Sequence, residues 1–392
     1  MARTWVVLFA LAVPIVPVVS DAATPPGRVQ ISVAPQDVLI DARVRVEVSG
    51  LQAGQEVTLR AVTRDVFGHR WIGRGLFRAD ANGRVAVARA SSRAGTYRGR
   101  DAMGLFWSMR RAGTAMYFIP PAGPTAMTVQ ALVSGRLIAG ARFTRRRVAA
   151  GIAVKTLTLG NDGLYGRFRF RPKAPPRATV LLLGGSEGGL FGREIAQTLA
   201  SRGVPTLTLA YFGEPGLPRA LKNIPLEYFE KALRWLGSQP SVDARKLAIL
   251  GSSRGAEAAL LVGSTYPELV RGVIAYAPSS VAYRGWMRKG RPVPAWPRPA
   301  ATIAVERVAG PILLVSGVED TVWASSLFAE QIAKRRRAYR KSVTSLVFQA
   351  AGHAVGTVIP NLPVGTQGGT REGDARARAR AWPAVLRLLK RL

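Results

Sequence analysis

The chain contains no cysteine, which excludes disulfides, a thiol nucleophile and cysteine-ligated metals. It has only two histidines, His69 and His353. Two imidazoles so far apart in sequence argue against a catalytic zinc site, and they leave a short list for any general base. Acidic residues are scarce: 23 Asp and Glu stand against 56 Lys and Arg, a formal net charge of +33 over 392 residues. Such a field attracts polyanions. The basic residues are nevertheless spread along the chain, with local runs at Arg145, Arg146 and Arg147 and at Lys334, Arg335, Arg336 and Arg337. They lack the interleaved aromatics of a single-strand groove, so no nucleic acid is expected as a partner. Peripheral association with an anionic membrane surface fits the charge. Beyond the N-terminus, no segment has the roughly eighteen uninterrupted apolar residues of a membrane span.

The N-terminus itself reads as a secretory signal peptide over residues 1–22. Arg3 supplies a positive charge, Trp5 to Val19 is almost wholly apolar, and Ser20 and Ala22 place small residues before a cut after Ala22 or Ala23. Pro14 and Pro17 interrupt the apolar stretch. A periplasmic or secreted protein is expected; a membrane anchor through residues 5–19 is the alternative.

Two rhythms follow. Over residues 24–148 the pattern is that of short strands. Val44, Val46 and Val48 alternate with Arg43, Arg45 and Glu47, and turn signals such as Asn82-Gly83 and Ser134-Gly135 recur. This predicts a β-sandwich. Residues 149–161 read as a linker. From 162 to 392 strands alternate with helices, which predicts a mostly parallel sheet with helices on both faces. Arg284 to Pro299 is rich in Pro, Arg and Trp and reads either as a lid or substrate-contacting insertion or as an ordinary surface loop.

Gly251-Ser252-Ser253-Arg254-Gly255 matches G-x-S-x-G between an apolar strand candidate (Lys246 to Leu250) and an Ala/Leu-rich helix candidate (Ala256 to Val262). In that context the motif is a nucleophile elbow, a sharp turn that lifts the Ser253 hydroxyl above the sheet and aims the Arg254 N–H at a developing oxyanion. A serine hydroxyl needs a base. His353 follows the strand candidate Ser345 to Phe348, whereas His69 lies far upstream. The acid belongs between nucleophile and base in chain order. Asp320, in the exit loop of the strand candidate Pro311 to Ser316, is the better choice, and Glu319 the runner-up. A second oxyanion donor is expected from Gly184-Gly185-Ser186-Glu187-Gly188-Gly189, through the N–H of Ser186 or Glu187. The Glu187 carboxylate should turn away, toward an arginine.

These segments together resemble the family of acyl-CoA thioester hydrolases and bile acid-CoA:amino acid N-acyltransferases. The resemblance rests on Phe77-Arg78-Ala79-Asp80 with Asn82-Gly83, on Asp101-Ala102-Met103-Gly104-Leu105-Phe106-Trp107-Ser108-Met109, on the 184–189 loop, on Tyr211-Phe212-Gly213, on Gly317 to Trp323 and on Gly352-His353. It implies an immunoglobulin-like β-sandwich preceding an α/β-hydrolase domain. It also places the acid on Asp320, the base on His353 and the nucleophile on Ser253. Within the family, acyltransferases tend to carry Cys at the elbow and thioesterases Ser, so Ser253 resembles the hydrolases. The leader peptide departs from the family pattern, because coenzyme A is an intracellular cofactor. The expectation is a serine hydrolase taking a small-molecule acyl thioester or ester, with no metal and no organic cofactor. Acyl transfer to an amine or alcohol, an exported carboxylesterase, and a non-catalytic envelope- or polyanion-binding protein are the alternatives.

Overall fold

The computed structural model describes residue 1 and residues 28–392 apart from 112 and 114–117. The expected signal peptide lies outside the described residues. The first part of the chain is built on two sheets. One has the order β1 (Gln30–Ala34), β3 (Arg45–Ser49), β6 (Val85–Ala86). The other has the order β2 (Asp37–Leu39), β9 (Arg136–Arg146), β8 (Thr125–Val133), β4 (Glu56–Arg64), β5 (Arg70–Arg78), β7 (Ala94–Gly95). The alternation explains the geometry: Val46 and Val48 of one sheet and Val57, Leu59 and Ala61 of the other turn inward to a shared core. The Met-Gly-Leu-Phe-Trp-Ser-Met run forms a short helix, α1 (Gly104–Trp107), sunk into that core. Asp101 accepts from the Met103 N–H at 2.8 Å and from Trp107 Nε1 at 2.9 Å. Gly73 is required beneath it, since a Cβ there would lie 1.9 Å from the Leu105 carbonyl oxygen. This most distinctive stretch of the sequence is therefore a core plug.

The second part is an α/β-hydrolase sheet of eight strands. Their order is β10 (Ala153–Leu157), β11 (Tyr165–Phe170), β13 (Thr206–Ala210), β12 (Arg177–Leu183), β15 (Val242–Ser252), β16 (Gly272–Tyr276), β19 (Ile312–Gly317), β20 (Val343–Phe348). Only β11 runs against its neighbours on both sides; the pairs from β13 onward are parallel. The run Val180-Leu181-Leu182-Leu183 shows why the central strands are continuously apolar. Leu181 and Leu183 pack on one face, beneath α4 (Leu226–Gly237), α5 (Arg254–Thr265) and α6 (Ser325–Ala338). Val180 and Leu182 pack on the other, beneath α3 (Arg193–Ser201) and α7 (Arg371–Arg391). Residues 149–161, expected to be a linker, differ: they hold β10 and the short α2 (Leu159–Asp162), so the sheet begins there. As an edge strand β10 buries only Leu157, which is why its sequence carries so little apolar signal. The segment from 284 to 299 carries β17 (Trp286–Arg288) and β18 (Arg291–Pro292), which join β14 (Ile224–Pro225) in a small sheet.

The two parts share polar as well as apolar contacts. Asp41, buried, accepts from Arg202 Nε and Nη2 at 3.0 and 2.9 Å and from Trp382 Nε1 at 2.8 Å. Arg145 is fully buried and donates to the carbonyls of Ile40, Ala42 and Asn361. The terminal nitrogens of Arg336 and Arg378 likewise donate mainly to main-chain carbonyls. Burial lowers Arg145 and Arg378 to about 10, so both stay charged at neutral pH. Part of the arginine excess is thus internal scaffolding.

Candidate active site

β15 delivers Ser253 to the top of the sheet at φ 56° and ψ −123°, and α5 starts at the next residue. A non-glycine residue held there stores about 1–3 kcal/mol of backbone strain. The flanking glycines are set by packing. A Cβ on Gly251 would lie 2.0 Å from the Gly255 carbonyl oxygen, and one on Gly255 2.2 Å from that of Gly184. The Ser253 N–H donates to the Tyr276 carbonyl at 2.9 Å, which ties the elbow to β16.

His353 opens a short 3-10 turn after β20, and Asp320 lies in the loop after β19. His353 Nδ1 is 2.8 Å from Asp320 Oδ2 and 3.1 Å from Oδ1. The pair is almost wholly enclosed, with side-chain exposures of 9% and 1%. Asp320 Oδ1 also accepts the N–H groups of Val322 and Trp323 at 2.9 and 3.2 Å, which fixes the carboxylate before the imidazole reaches it. Glu319 is exposed and, among the described residues, makes only a backbone bond, to Ala351. His69 is elsewhere, beside Asp65 in the β4–β5 loop. The imidazole turn abuts the elbow: a Cβ on Gly356 would lie 2.1 Å from Ser252 Oγ. With Nδ1 committed to Asp320, Nε2 is the ring nitrogen left for a proton transfer. Ser253 Oγ itself makes no hydrogen bond among the described residues.

The 184–189 loop completes the cluster. A Cβ on Gly185 would sit 3.2 Å from Ser253 Cβ, so this loop lines the space above the nucleophile candidate. Tyr211 clamps it by donating to the Gly184 carbonyl at 2.6 Å. The Glu187 carboxylate does not reach an arginine as expected; it folds back to accept the Gly185 N–H at 2.7 Å. The reason is proximity, since the turn presents a backbone donor two residues away. Burial raises its pKa, opposed by its own N–H, that of Gly185 and the charge of His353. With the Gly185 and Glu187 N–H groups engaged by this carboxylate, the N–H groups of Ser186 and Arg254 remain without acceptors among the described residues.

Four residues not foreseen from the sequence frame this cluster. Glu257, one turn into α5 and fully buried, accepts from Arg254 Nη1 at 2.7 Å, the Tyr283 N–H at 2.7 Å and Trp286 Nε1 at 2.6 Å. Burial pushes its carboxyl up to about 7, against the opposing charge of Arg254. Tyr283 stacks on Trp323 with centroids 5.6 Å apart, and Trp323 meets the His353 ring edge-on at 5.9 Å. Asp374, beneath the imidazole turn, accepts the Gly352 N–H at 2.9 Å; burial pushes it up to about 6. Only the Arg254–Glu257 spacing, one helical turn, was visible in the sequence. The other contacts join segments distant along the chain.

Family comparisons agree with this architecture. Residues 41–158 match the acyl-CoA thioester hydrolase/BAAT N-terminal region, and residues 224–298 and 284–392 match the BAAT/acyl-CoA thioester hydrolase C-terminal region. Acyl-coenzyme A thioesterase 1 of Rattus norvegicus is 29% identical over 348 residues, covering 80% of this chain and 82% of that protein. The mitochondrial acyl-coenzyme A thioesterase 2 of Homo sapiens is 27% identical over 351 residues, covering 80% and 72%. Among solved structures, a dienelactone hydrolase from Anabaena variabilis superposes with a TM-score of 0.40 at 15% identity, over 62% of this chain and 98% of that one.

Proposed function

We infer, from a chain that belongs to the acyl-CoA thioester hydrolase/BAAT family, that it is an acyl thioester hydrolase with acyl-CoA as its substrate class. The names of its relatives support the substrate class, and the site supports the chemistry. In this reading Ser253 attacks the acyl carbonyl while His353 Nε2 takes the hydroxyl proton. Asp320 holds the imidazole tautomer and stabilises the imidazolium. The N–H groups of Arg254 and Ser186 receive the oxyanion, an interaction whose loss typically lowers kcat by about 10²–10³. His353 returns the proton to the departing thiolate, and water, activated by the same imidazole, releases the carboxylic acid and frees Ser253.

The observation that carries this reading is the enclosed His353–Asp320 pair, 2.8 Å apart, on a turn that abuts the elbow whose Ser253 is held at φ 56°. The test is turnover of an acyl-CoA chain-length series, the matching acyl-pantetheines and p-nitrophenyl esters by wild type and Ser253→Ala. Thioester cleavage lost in the variant is the expected result. Cleavage of esters alone would make the protein a carboxylesterase. Product that forms only when an amine or alcohol acceptor is added would make it a transferase. A folded protein that turns over nothing and resists a fluorophosphonate probe would be a binding protein.

A further inference from the structure

Arg254, Glu257, Leu261, Ser264 and Thr265 recur at helical spacing and so share one face of α5. The N-terminal end of this stripe is at the elbow. Its C-terminal end lines a cavity of about 310 Å³ that includes neither Ser253 nor His353. At a rise of about 1.5 Å per residue, Leu261 and Thr265 lie roughly 12 and 18 Å along the helix from Ser253. The opposite wall is the strap from Ala282 to Arg307, the same segment whose Tyr283 and Trp286 are anchored on Glu257.

The chemistry of the cavity is two-sided. Leu226, Leu261, Ala282, Val293 and Ile303 make an apolar wall, while Arg288, Arg291 and Arg307 stand around it. No carboxylate lines it. None of the three guanidinium groups donates a hydrogen bond or forms an ion pair among the described residues. Of the nearby acids, Glu306 pairs with Arg335 while also feeling the charge of Arg307, and Glu227 accepts the Lys289 N–H. The C-terminus of α5 disfavours an anion here. Charge-assisted bonds from three arginines to phosphate outweigh that end-of-helix effect.

We propose that this cleft binds the phosphate-bearing end of the thioester's leaving group, with the Arg288, Arg291 and Arg307 guanidiniums on the phosphates and the apolar wall under the body that carries them. The proposal rests on the thioesterase reading, because a long leaving group with remote phosphates has the length to reach from the elbow to the cleft. A single segment then serves both ends of the substrate, bordering the elbow through Tyr283, which stacks on Trp323, and holding the remote charges through its arginines.

The experiment compares wild type with the combined variant Arg288→Gln, Arg291→Gln, Arg307→Gln on two thioesters of one acyl chain, the acyl-CoA and the phosphate-free acyl-N-acetylcysteamine. The expected result is a rise in KM for acyl-CoA of about tenfold or more, with kcat and the N-acetylcysteamine reaction unchanged. The corresponding triple Lys variant should recover part of the KM. Equal effects on both thioesters, or none on either, overturn the proposal. Calorimetry with adenosine 3′,5′-bisphosphate separates the two readings: binding lost in the Gln variant supports the cleft even if no thioester is hydrolysed. Absence of binding to wild type overturns it. Inorganic phosphate that binds as tightly as the bisphosphate, and is lost with it, overturns the leaving-group assignment.

Discussion

Arg254, the residue after the nucleophile candidate, is ion-paired at 2.7 Å with Glu257, whose side chain is wholly buried. The guanidinium also donates to the Arg284 carbonyl at 2.7 Å and lies 5.5 and 5.3 Å from the ring centroids of Tyr283 and Trp286. Elbow and strap are therefore one polar unit. The carboxyl is raised from 4.5 to about 7, so between these values the folded state holds a proton that the unfolded state has released. Stability from this group is greatest on the acid side and falls as pH rises through that window. Thermal unfolding of wild type and Glu257→Gln across pH 4.5–8 should show the wild type losing ground to the variant with rising pH. Parallel curves would remove the assignment. Glu257→Ala should be worse than Gln at every pH, since it leaves the Tyr283 and Trp286 donors without a partner, at about 1–3 kcal/mol.

Asp320→Asn should lower kcat by about 10⁴ and leave KM nearly unchanged, because a carboxamide favours the wrong imidazole tautomer. Ser253→Ala and His353→Ala should each lose at least about 10³, and the double variant little more than either, as expected of groups that act as a unit. Additive losses would argue against a shared mechanism. His69→Ala should stay within a few-fold of wild type, its ring lying in the sandwich loop beside Asp65.

Gly255→Ala should be among the most damaging one-methyl changes in the chain. The new carbon would meet the Gly184 carbonyl oxygen at 2.2 Å, and overpacking of this order costs about 1–3 kcal/mol or more. The Gly184 segment leads into the loop bearing the Ser186 N–H, so denaturant midpoint and kcat should fall together. An unchanged kcat in a destabilised protein would separate this loop from catalysis.

The positive charge should matter for a phosphorylated substrate and little for a neutral one. The ratio of kcat/KM for acyl-CoA to that for a p-nitrophenyl ester is expected to fall as the Debye length contracts from about 30 Å at 0.01 M to about 8 Å at 0.15 M salt. A flat ratio would mean that the basic surface takes no part in substrate capture.

Export is a separate proposal. Protein purified from its native host is expected to begin near Ala23, outside the cytoplasm; N-terminal sequencing that finds an intact Met1 in cytoplasmic material would end it and would return acyl-CoA to its usual compartment.

Which parts were legible in the sequence follows from how far each signal extends along the chain. The central strands announce themselves because both faces are covered, so Val180 to Leu183 or Gly272 to Tyr276 read as unbroken apolar runs. The elbow is a local motif, and its glycines carry the close approaches that force the turn. Strand β10 was missed because an edge strand buries so little: Val154, Lys155 and Thr156 are exposed. The Glu187 partner was misjudged because a two-residue turn competes at shorter range than any guanidinium. Tyr283 and Asp374 leave no local trace, and the role of Trp323 leaves none, since Trp323 and Asp374 act on His353 or its turn, and Tyr283 on Trp323, across tens of residues of sequence.

The Asp41 contacts bear on what the sandwich is for. The carboxylate belongs to the first part of the chain, while Arg202 and Trp382, which satisfy it, belong to the second, as does Asn361, which donates to its carbonyl at 2.9 Å. Ala354, one residue after the catalytic imidazole candidate, packs in the core of the sandwich. The domain border visible in the sequence is thus not a border in the material. A hydrolase half cut free near residue 149 would carry a tryptophan, a guanidinium, an amide and the Asn361 carbonyl that Arg145 satisfies, all built for a neighbour that is gone. The sandwich is better regarded as the back wall of the catalytic room than as an attached module.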